Sequence, residues 1–312
     1  MASKSDSSFA DIDSNSVLFT IGRMNPPTPG HKKLIQKMMK DAIQKNINII
    51  FVNLTSTTGL KGKMNPLHCI DKKGIVQKMI VKIKDEMKNE YDSAKIEELQ
   101  VIVNCADDEN IKNNKSKPNQ IPDLINGMKM QMGDNLTDDT NYRIYLGEKD
   151  FGKFDGFQAS FGNKLISIKV KRPSGDMSAT YLRNLTIKDD DKFLQAMRKL
   201  AVEQDKELGQ EEIQNLRELN RQDVFVEEML KVGLNEGEAI RLFTKIQSEI
   251  EKLEILKPTK RTKTEKRMNL GDDEVTELFD RPSTKRKLGK GGSKTKSKTR
   301  RRKYRKTKKR MR

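Results

Sequence analysis

A run of small, polar and proline residues follows the first apolar segment of the chain and ends in a histidine. The run is Gly22-Arg23-Met24-Asn25-Pro26-Pro27-Thr28-Pro29-Gly30-His31. Three prolines and a glycine exclude regular structure over residues 23–30. Gly30 lets the backbone approach a ligand closely, and the His31 imidazole, in the first turn of the next helix, can donate to a phosphate oxygen. The alternative is a proline-stiffened turn whose histidine is incidental.

The segments around this loop predict a βαβ unit. Residues 17–22 are apolar and β-prone, residues 31–46 place their apolar side chains on one helical face, and residues 47–54 form a second apolar run. Two strands joined through a helix are typical of a parallel sheet. In such a sheet the ligand crevice lies at the carboxyl ends of the strands, where this loop begins.

The same alternation continues to about residue 170. We expect helices and strands at 70–89, 99–106, 118–132 (starting near Pro122), 142–147 and 164–170. The sequence therefore predicts an α/β fold with a Rossmann-like open parallel five-stranded sheet flanked by helices. A helical C-terminal region and a disordered basic tail follow it.

A second polar group follows the predicted fifth strand, in the segment Met177-Ser178-Ala179-Thr180-Tyr181-Leu182-Arg183. The hydroxyls of Ser178 and Thr180 can cap the helix that begins there. Arg183 lies one turn further, and its planar guanidinium suits two-point binding of phosphate. A capped helix without a ligand is the alternative.

The loop 22–31 resembles the G-x-[FM]-[ND]-P-x-[HT]-x-G-H signature of the nucleotidyltransferase superfamily of adenylyl- and cytidylyltransferases. The segment 177–183 is similar to the I-S-[SA]-T-x-x-R motif of that family. Lys63-Met64-Asn65-Pro66-Leu67 resembles a K-x-N-P-L segment common in its phage and large-virus members. Thr28 stands where many members have histidine, although members with threonine, such as phosphopantetheine adenylyltransferases, are also catalytic. Asp150 falls three residues after Gly147, whereas the family's G-x-D segment places it two after.

The resemblance implies in-line transfer of a nucleotide from ATP or CTP to a phosphate-bearing small molecule, with release of pyrophosphate. His31 is then expected on the α- and β-phosphate oxygens, and Thr28 on the attacking phosphate. Arg183, Ser178 and Thr180 would hold the leaving pyrophosphate. Further nucleotide or phosphate contacts are expected from Gly22, Arg23, Met24, Asn25, Gly30 and Lys33. Lys33 has a solvated side chain as its alternative, and Mg²⁺ is expected on the triphosphate with few protein ligands.

The resemblance and the composition together divide the chain. We expect a disordered N-terminus at 1–16, a nucleotidyltransferase domain at 17–186, a helical region at 187–255, a linker at 256–284 and a disordered basic tail at 285–312. The acceptor remains open among nicotinamide mononucleotide, phosphopantetheine, a phosphoalcohol and a sugar phosphate.

The excess positive charge of the chain lies in its tail. Of 63 Lys and Arg residues, 17 fall in residues 285–312, which contain no Asp or Glu. The remaining 46 basic and 45 acidic residues leave a body of net charge +1. The tail predicts nucleic-acid binding, a nuclear address or a solubilising extension. A nucleic-acid-associated protein on a repurposed transferase fold is therefore the alternative function.

The cysteines, histidines and termini give further expectations. Cys69 and Cys105 show no spacing of a disulfide scaffold, and His68 beside Cys69 lacks the usual spacing of zinc ligands. No apolar run approaches the roughly 20 residues that span a bilayer. Residues 1–16 lack the basic and apolar regions of a signal peptide. We expect no membrane partner and an intracellular protein, cytoplasmic or nuclear.

Overall fold

The structure is a computed structural model that describes residues 13–56, 65–108, 120–171, 177–204 and 206–255. The predicted parallel five-stranded sheet is confirmed. Its strands are β1 (Ser16–Gly22), β2 (Ile49–Leu54), β3 (Gln100–Cys105), β4 (Asn141–Gly147) and β5 (Leu165–Val170). All neighbours pair in parallel, in the order β3-β2-β1-β4-β5. Because the order reverses at β1, a ligand crevice is expected between the carboxyl ends of β1 and β4.

Helices connect the strands and continue beyond the last one. They are α1 (Pro29–Gln44), α2 (Cys69–Met87), α3 (Ser93–Glu98), α4 (Gln120–Met132), α5 (Ala179–Leu185), α6 (Asp190–Val202), α7 (Gln210–Glu218), α8 (Arg221–Val232) and α9 (Glu236–Ile255). The sequence did not predict α3, because six residues are too few to show a helical period. Helix α4 begins two residues before Pro122, so that proline falls within its first turn, as expected.

The sheet is buried on both faces, which explains why its strands are apolar in succession rather than in alternation. One face carries Leu18 and Ile50 and packs on α1 and α2 in a single apolar cluster. The other face carries Phe19 and Phe51 and packs on α4 and a 3₁₀ segment at 155–161. The two clusters fix the sheet between two helical layers.

The predicted helical region 187–255 shares the first of these clusters. Phe225, Met229 and Val232 of α8 are fully buried together with the apolar residues of α1 and α2. Ion pairs add to this contact, including Lys78 of α2 with Glu238 of α9. All described residues fall in one compact unit that ends at Lys257.

The chain ends differ in part from the prediction. Ser16 already belongs to β1, and its hydroxyl donates to the Asp13 carboxylate at 2.8 Å. The predicted disordered segment 1–16 is therefore wrong for residues 13–16, because this turn and strand contact hold them. Residues 1–12, the linker 256–284 and the tail 285–312 lie outside the described residues. None of the helices in the described ranges combines the length and apolar character needed to span a bilayer.

Gly233 tests the packing of the helical region on α2. It caps α8 with φ of 113°, and a Cβ there would lie 3.1 Å from the Lys78 carbonyl oxygen. We expect Gly233→Ala to lower the free energy of unfolding by about 2 kcal/mol, through strain at positive φ and this close contact. Urea denaturation measures the change.

Gly74, in the middle of α2, is the matched control because a Cβ there meets no atom within 4 Å. Gly74→Ala should raise the stability by roughly 0.5–1 kcal/mol, since alanine favours the helix. Two variants that shift the urea midpoint in the same direction would contradict the account of Gly233.

Candidate active site

The carboxyl ends of the two central strands leave room for a ligand. The register pairs Phe19 of β1 with Ile144 of β4. Gly22 and Gly147 are the last residues of the two strands at this edge. A Cβ at Gly147 would meet no atom within 4 Å, and one at Gly22 would meet only the Met24 side chain, at 3.6 Å. Two glycines thus flank the expected crevice.

The loop after β1 is held by its asparagine. The Asn25 side chain is buried; its Nδ2 donates to the Leu67 carbonyl at 3.0 Å and its Oδ1 accepts from the Leu67 N–H at 3.3 Å. Met24 adopts φ of 39°, and the Asn25–Pro26 peptide is cis. The Asn65-Pro66-Leu67 part of the third motif therefore lies against the first motif. Lys63 and Met64 lie outside the described residues.

Thr28 and His31 form a reciprocal cap at the start of α1. The His31 N–H donates to the Thr28 hydroxyl at 3.4 Å, and the Thr28 N–H donates to His31 Nδ1 at 3.0 Å. The Thr28 hydroxyl also lies 2.8 Å from Nδ1. Because Nδ1 accepts a backbone hydrogen, the proton of the neutral ring lies on Nε2. The cap thus fixes the tautomer in which Nε2 is a donor.

Arg183 links the second motif to the loop after β1. Its side chain is buried, its Nη1 donates to the Asn25 carbonyl, and its Nη2 donates to the Thr180 hydroxyl at 3.1 Å. The Ser178 hydroxyl accepts from the Tyr181 N–H at 3.0 Å and caps α5. The structure therefore brings the second motif against the loop of the first.

A buried lysine that the sequence analysis missed completes this group. Lys72 lies in the first turn of α2, is fully buried, and donates from Nζ to the Thr55 carbonyl. The pKa of Lys72 is lowered from 10.5 to about 8, mainly by burial. The nearby Asp107 carboxylate raises this pKa in part, and the Arg23 charge lowers it. The sequence carried one signal of this burial. Lys72 precedes Ile75 by three residues and Val76 by four, which places it on the apolar face of the helix.

Three cations therefore lie close together at the carboxyl edge of the sheet. Burial, together with a smaller contribution from the Arg23 charge, lowers the pKa of Arg183 to about 10. Arg23 thus lies close enough to repel both Lys72 and Arg183. We call Arg23, Lys72 and Arg183 the cation cluster. Lys72 and Arg183 are desolvated, whereas Arg23 is exposed. Like charges held near one another favour an anionic ligand, which would relieve their repulsion.

The remaining predicted residues lie around this edge. Gly30 is the second residue of α1, within the turn that presents N–H groups beside the loop. Lys33 follows in α1 with an exposed side chain. Asp150 pairs with Lys153 and more than half of its side chain is exposed, so its contacts are those of a surface ion pair. Within the described ranges, no three His, Cys, Asp or Glu side chains are placed to bind one metal ion.

A disulfide joins Cys69 to Cys105, with a Cα–Cα distance of 5.8 Å. The spacing of 36 residues did not predict it. The pairing depends on the fold, because Cys69 opens α2 and Cys105 closes β3, and both positions reach the carboxyl edge of the sheet. Compared with models of known protein families and with curated proteins, the chain matches none of them.

Burial of the Lys72 charge lowers the stability of the fold, and a substitution should reveal this loss. Between pH 8 and 10.5 the unfolded chain binds more protons at this residue than the folded chain, so stability should rise with pH across that window. We expect Lys72→Met to flatten this rise and to stabilise the fold at neutral pH by roughly 1–3 kcal/mol, after loss of the Thr55 hydrogen bond. Urea denaturation from pH 7 to pH 10 measures both effects.

Lys84→Met, in the last turn of the same helix, is the control and should leave the pH dependence unchanged. If the stability curves of wild type and Lys72→Met run parallel through this window, Lys72 is not a desolvated cation.

Proposed function

We propose that the protein is a nucleotidyltransferase that moves a nucleoside monophosphate from ATP or CTP to a phosphate-bearing small molecule and releases pyrophosphate. The observation that carries the proposal is the cation cluster at the carboxyl edge of β1. A triphosphate carries the dense negative charge that would offset the repulsion of Arg23 with Lys72 and with Arg183. The proposal gains support from the resemblance of residues 22–31 and 177–183 to the superfamily motifs.

The reaction needs positioning and charge stabilisation rather than a covalent nucleophile. An oxygen of the acceptor phosphate attacks the α-phosphorus, a new P–O bond forms, and the bond to the β-phosphate oxygen breaks. Negative charge grows on the α- and β-phosphate oxygens as pyrophosphate leaves. In the proposal, His31 Nε2–H donates to these oxygens, and the cation cluster stabilises the leaving group.

We propose a role for Thr28 other than the contact with the attacking phosphate that the sequence suggested. Its side chain is buried, with 1% of the residue exposed, and its hydroxyl oxygen lies 2.8 Å from Nδ1 of His31. We therefore assign Thr28 to positioning His31, in place of direct contact with the attacking phosphate. Ser178 and Thr180 accept bonds from Tyr181 and Arg183, which leaves each hydroxyl its own hydrogen to donate to pyrophosphate.

Magnesium fits this proposal as part of the nucleotide. The cluster offers nitrogen cations, whereas Mg²⁺ prefers carboxylate and phosphate oxygens. Bound with the triphosphate, the ion would offset part of its negative charge. The described residues then need to bind the complex only through its remaining oxygens.

The proposal is tested by screening nucleoside triphosphates against the four classes of acceptor for pyrophosphate release. His31→Ala should reduce turnover roughly 10²–10³-fold, the usual effect of removing one transition-state donor. His68→Ala is the matched control, because His68 is exposed and makes no side-chain bond at the start of α2. Near-full turnover by His31→Ala, or equal losses in both variants, would contradict the role of His31.

Arg183→Lys keeps a charge but loses the planar fork that reaches both Asn25 and Thr180. We expect nucleotide affinity or turnover to fall roughly 10–100-fold, with the order of acceptor preference unchanged. Steady-state kinetics with each substrate varied in turn separates the effects on nucleotide affinity, turnover and acceptor preference. Arg198→Lys, on the exposed face of α6, is the control. A change limited to the KM of the acceptor would assign Arg183 to the other subsite.

A further inference from the structure

The disulfide lies beside the cation cluster. Cys69 is the first residue of α2, Cys105 is the last residue of β3, and each is about 1% exposed. The Cys69 sulfur lies 3.5 Å from the Leu54 carbonyl oxygen, and one helical turn later Lys72 donates to the carbonyl of Thr55. The crosslink and the lysine therefore contact consecutive carbonyls at the end of β2.

The same crosslink reaches the counter-charge of the lysine. Asp107, whose carboxylate raises the Lys72 pKa, follows Cys105 by two residues. The Cys105 N–H donates to the Asp108 carboxylate, which pairs with Lys73 at 3.0 Å. The disulfide thus joins the helix that carries the buried ammonium to the turn that carries its nearby carboxylate.

The start of α2 has no side-chain cap. Its N-cap residue, His68, makes no side-chain cap hydrogen bond. By contrast, Thr28 caps α1 and Ser178 caps α5 through their side chains. The covalent bond at the first residue of α2 thus restrains a turn that lacks a side-chain cap.

We infer that the Cys69–Cys105 disulfide is a positioning device for Lys72, and that its reduction weakens binding of the nucleotide's phosphates. The inference rests on the proposed function and adds redox control to it. The reductant is a dithiol. One of its thiolates attacks a sulfur of the disulfide to form a mixed disulfide, and its second thiol releases the protein. Two electrons and two protons pass to Cys69 and Cys105, and the dithiol becomes a cyclic disulfide.

Binding of sodium tripolyphosphate to the full chain tests this without any catalytic step. We expect the reduced protein to bind roughly tenfold more weakly than the oxidised protein, as for a displaced charged hydrogen bond. The basic tail contributes equally to both forms, and high salt weakens its exposed contacts more than those of the buried Lys72 and Arg183. Calorimetry measures both affinities. By linkage, tripolyphosphate should make the disulfide harder to reduce by the same factor.

Lys72→Met isolates the role of the lysine. In this variant the oxidised and reduced forms should bind tripolyphosphate equally, whereas Lys84→Met should keep the tenfold difference. Equal affinities of oxidised and reduced wild type would overturn the inference. So would a redox difference that persists in Lys72→Met. Loss of the far-ultraviolet circular dichroism signal on reduction would overturn it too, because the crosslink would then hold the whole fold.

Failure of the inference and failure of the proposed function give different results. Pyrophosphate release that is equal in oxidised and reduced protein, with equal tripolyphosphate affinity, overturns the redox role and leaves the transferase intact. Redox-dependent tripolyphosphate binding in a protein that releases no pyrophosphate from any pair of substrates supports the positioning of Lys72 and overturns the transferase.

Discussion

Asn25 bonds the Leu67 backbone with both ends of its side-chain amide, while its own carbonyl accepts from Arg183. Three segments far apart in the chain thereby meet on one residue of the loop after β1. Each bond is buried, so breaking one leaves a polar group without water to replace its partner. These bonds fix the relative positions of the three motif segments.

The cation cluster shows why such firm support is needed. Lys72 and Arg183 are buried, and the charge of Arg23 opposes both. Under the proposed function, folding must bring these charges together before a phosphate is bound to offset them. The apolar contacts of α1 and α2 and the bonds of Asn25 and Thr55 hold them there. Stability lost in this way becomes affinity when an anion binds, because the anion relieves a repulsion that the fold has already imposed.

The sequence predicted the sheet well because each strand is a short apolar run between polar turns. Burial of both faces makes such runs continuous, so their assignment as strands is little in doubt. It also placed Thr28, His31 and Arg183 at one edge of the sheet, through the order of the motifs. It missed Lys72 and the disulfide for a common physical reason. A lysine in an amphipathic helix is usually solvated, and two cysteines 36 residues apart have no local pattern. Both became visible only when the fold brought α2 and β3 to the same edge.

The packing of α8 has a practical consequence for dissecting the chain. Phe225, Met229 and Val232 occupy the outer side of the layer formed by α1 and α2. A fragment trimmed at residue 186 would keep every motif yet leave that side in contact with water, as an apolar patch prone to self-association. The smallest fragment suited to recombinant expression and crystallisation therefore extends through α9, well beyond the last residue of any motif.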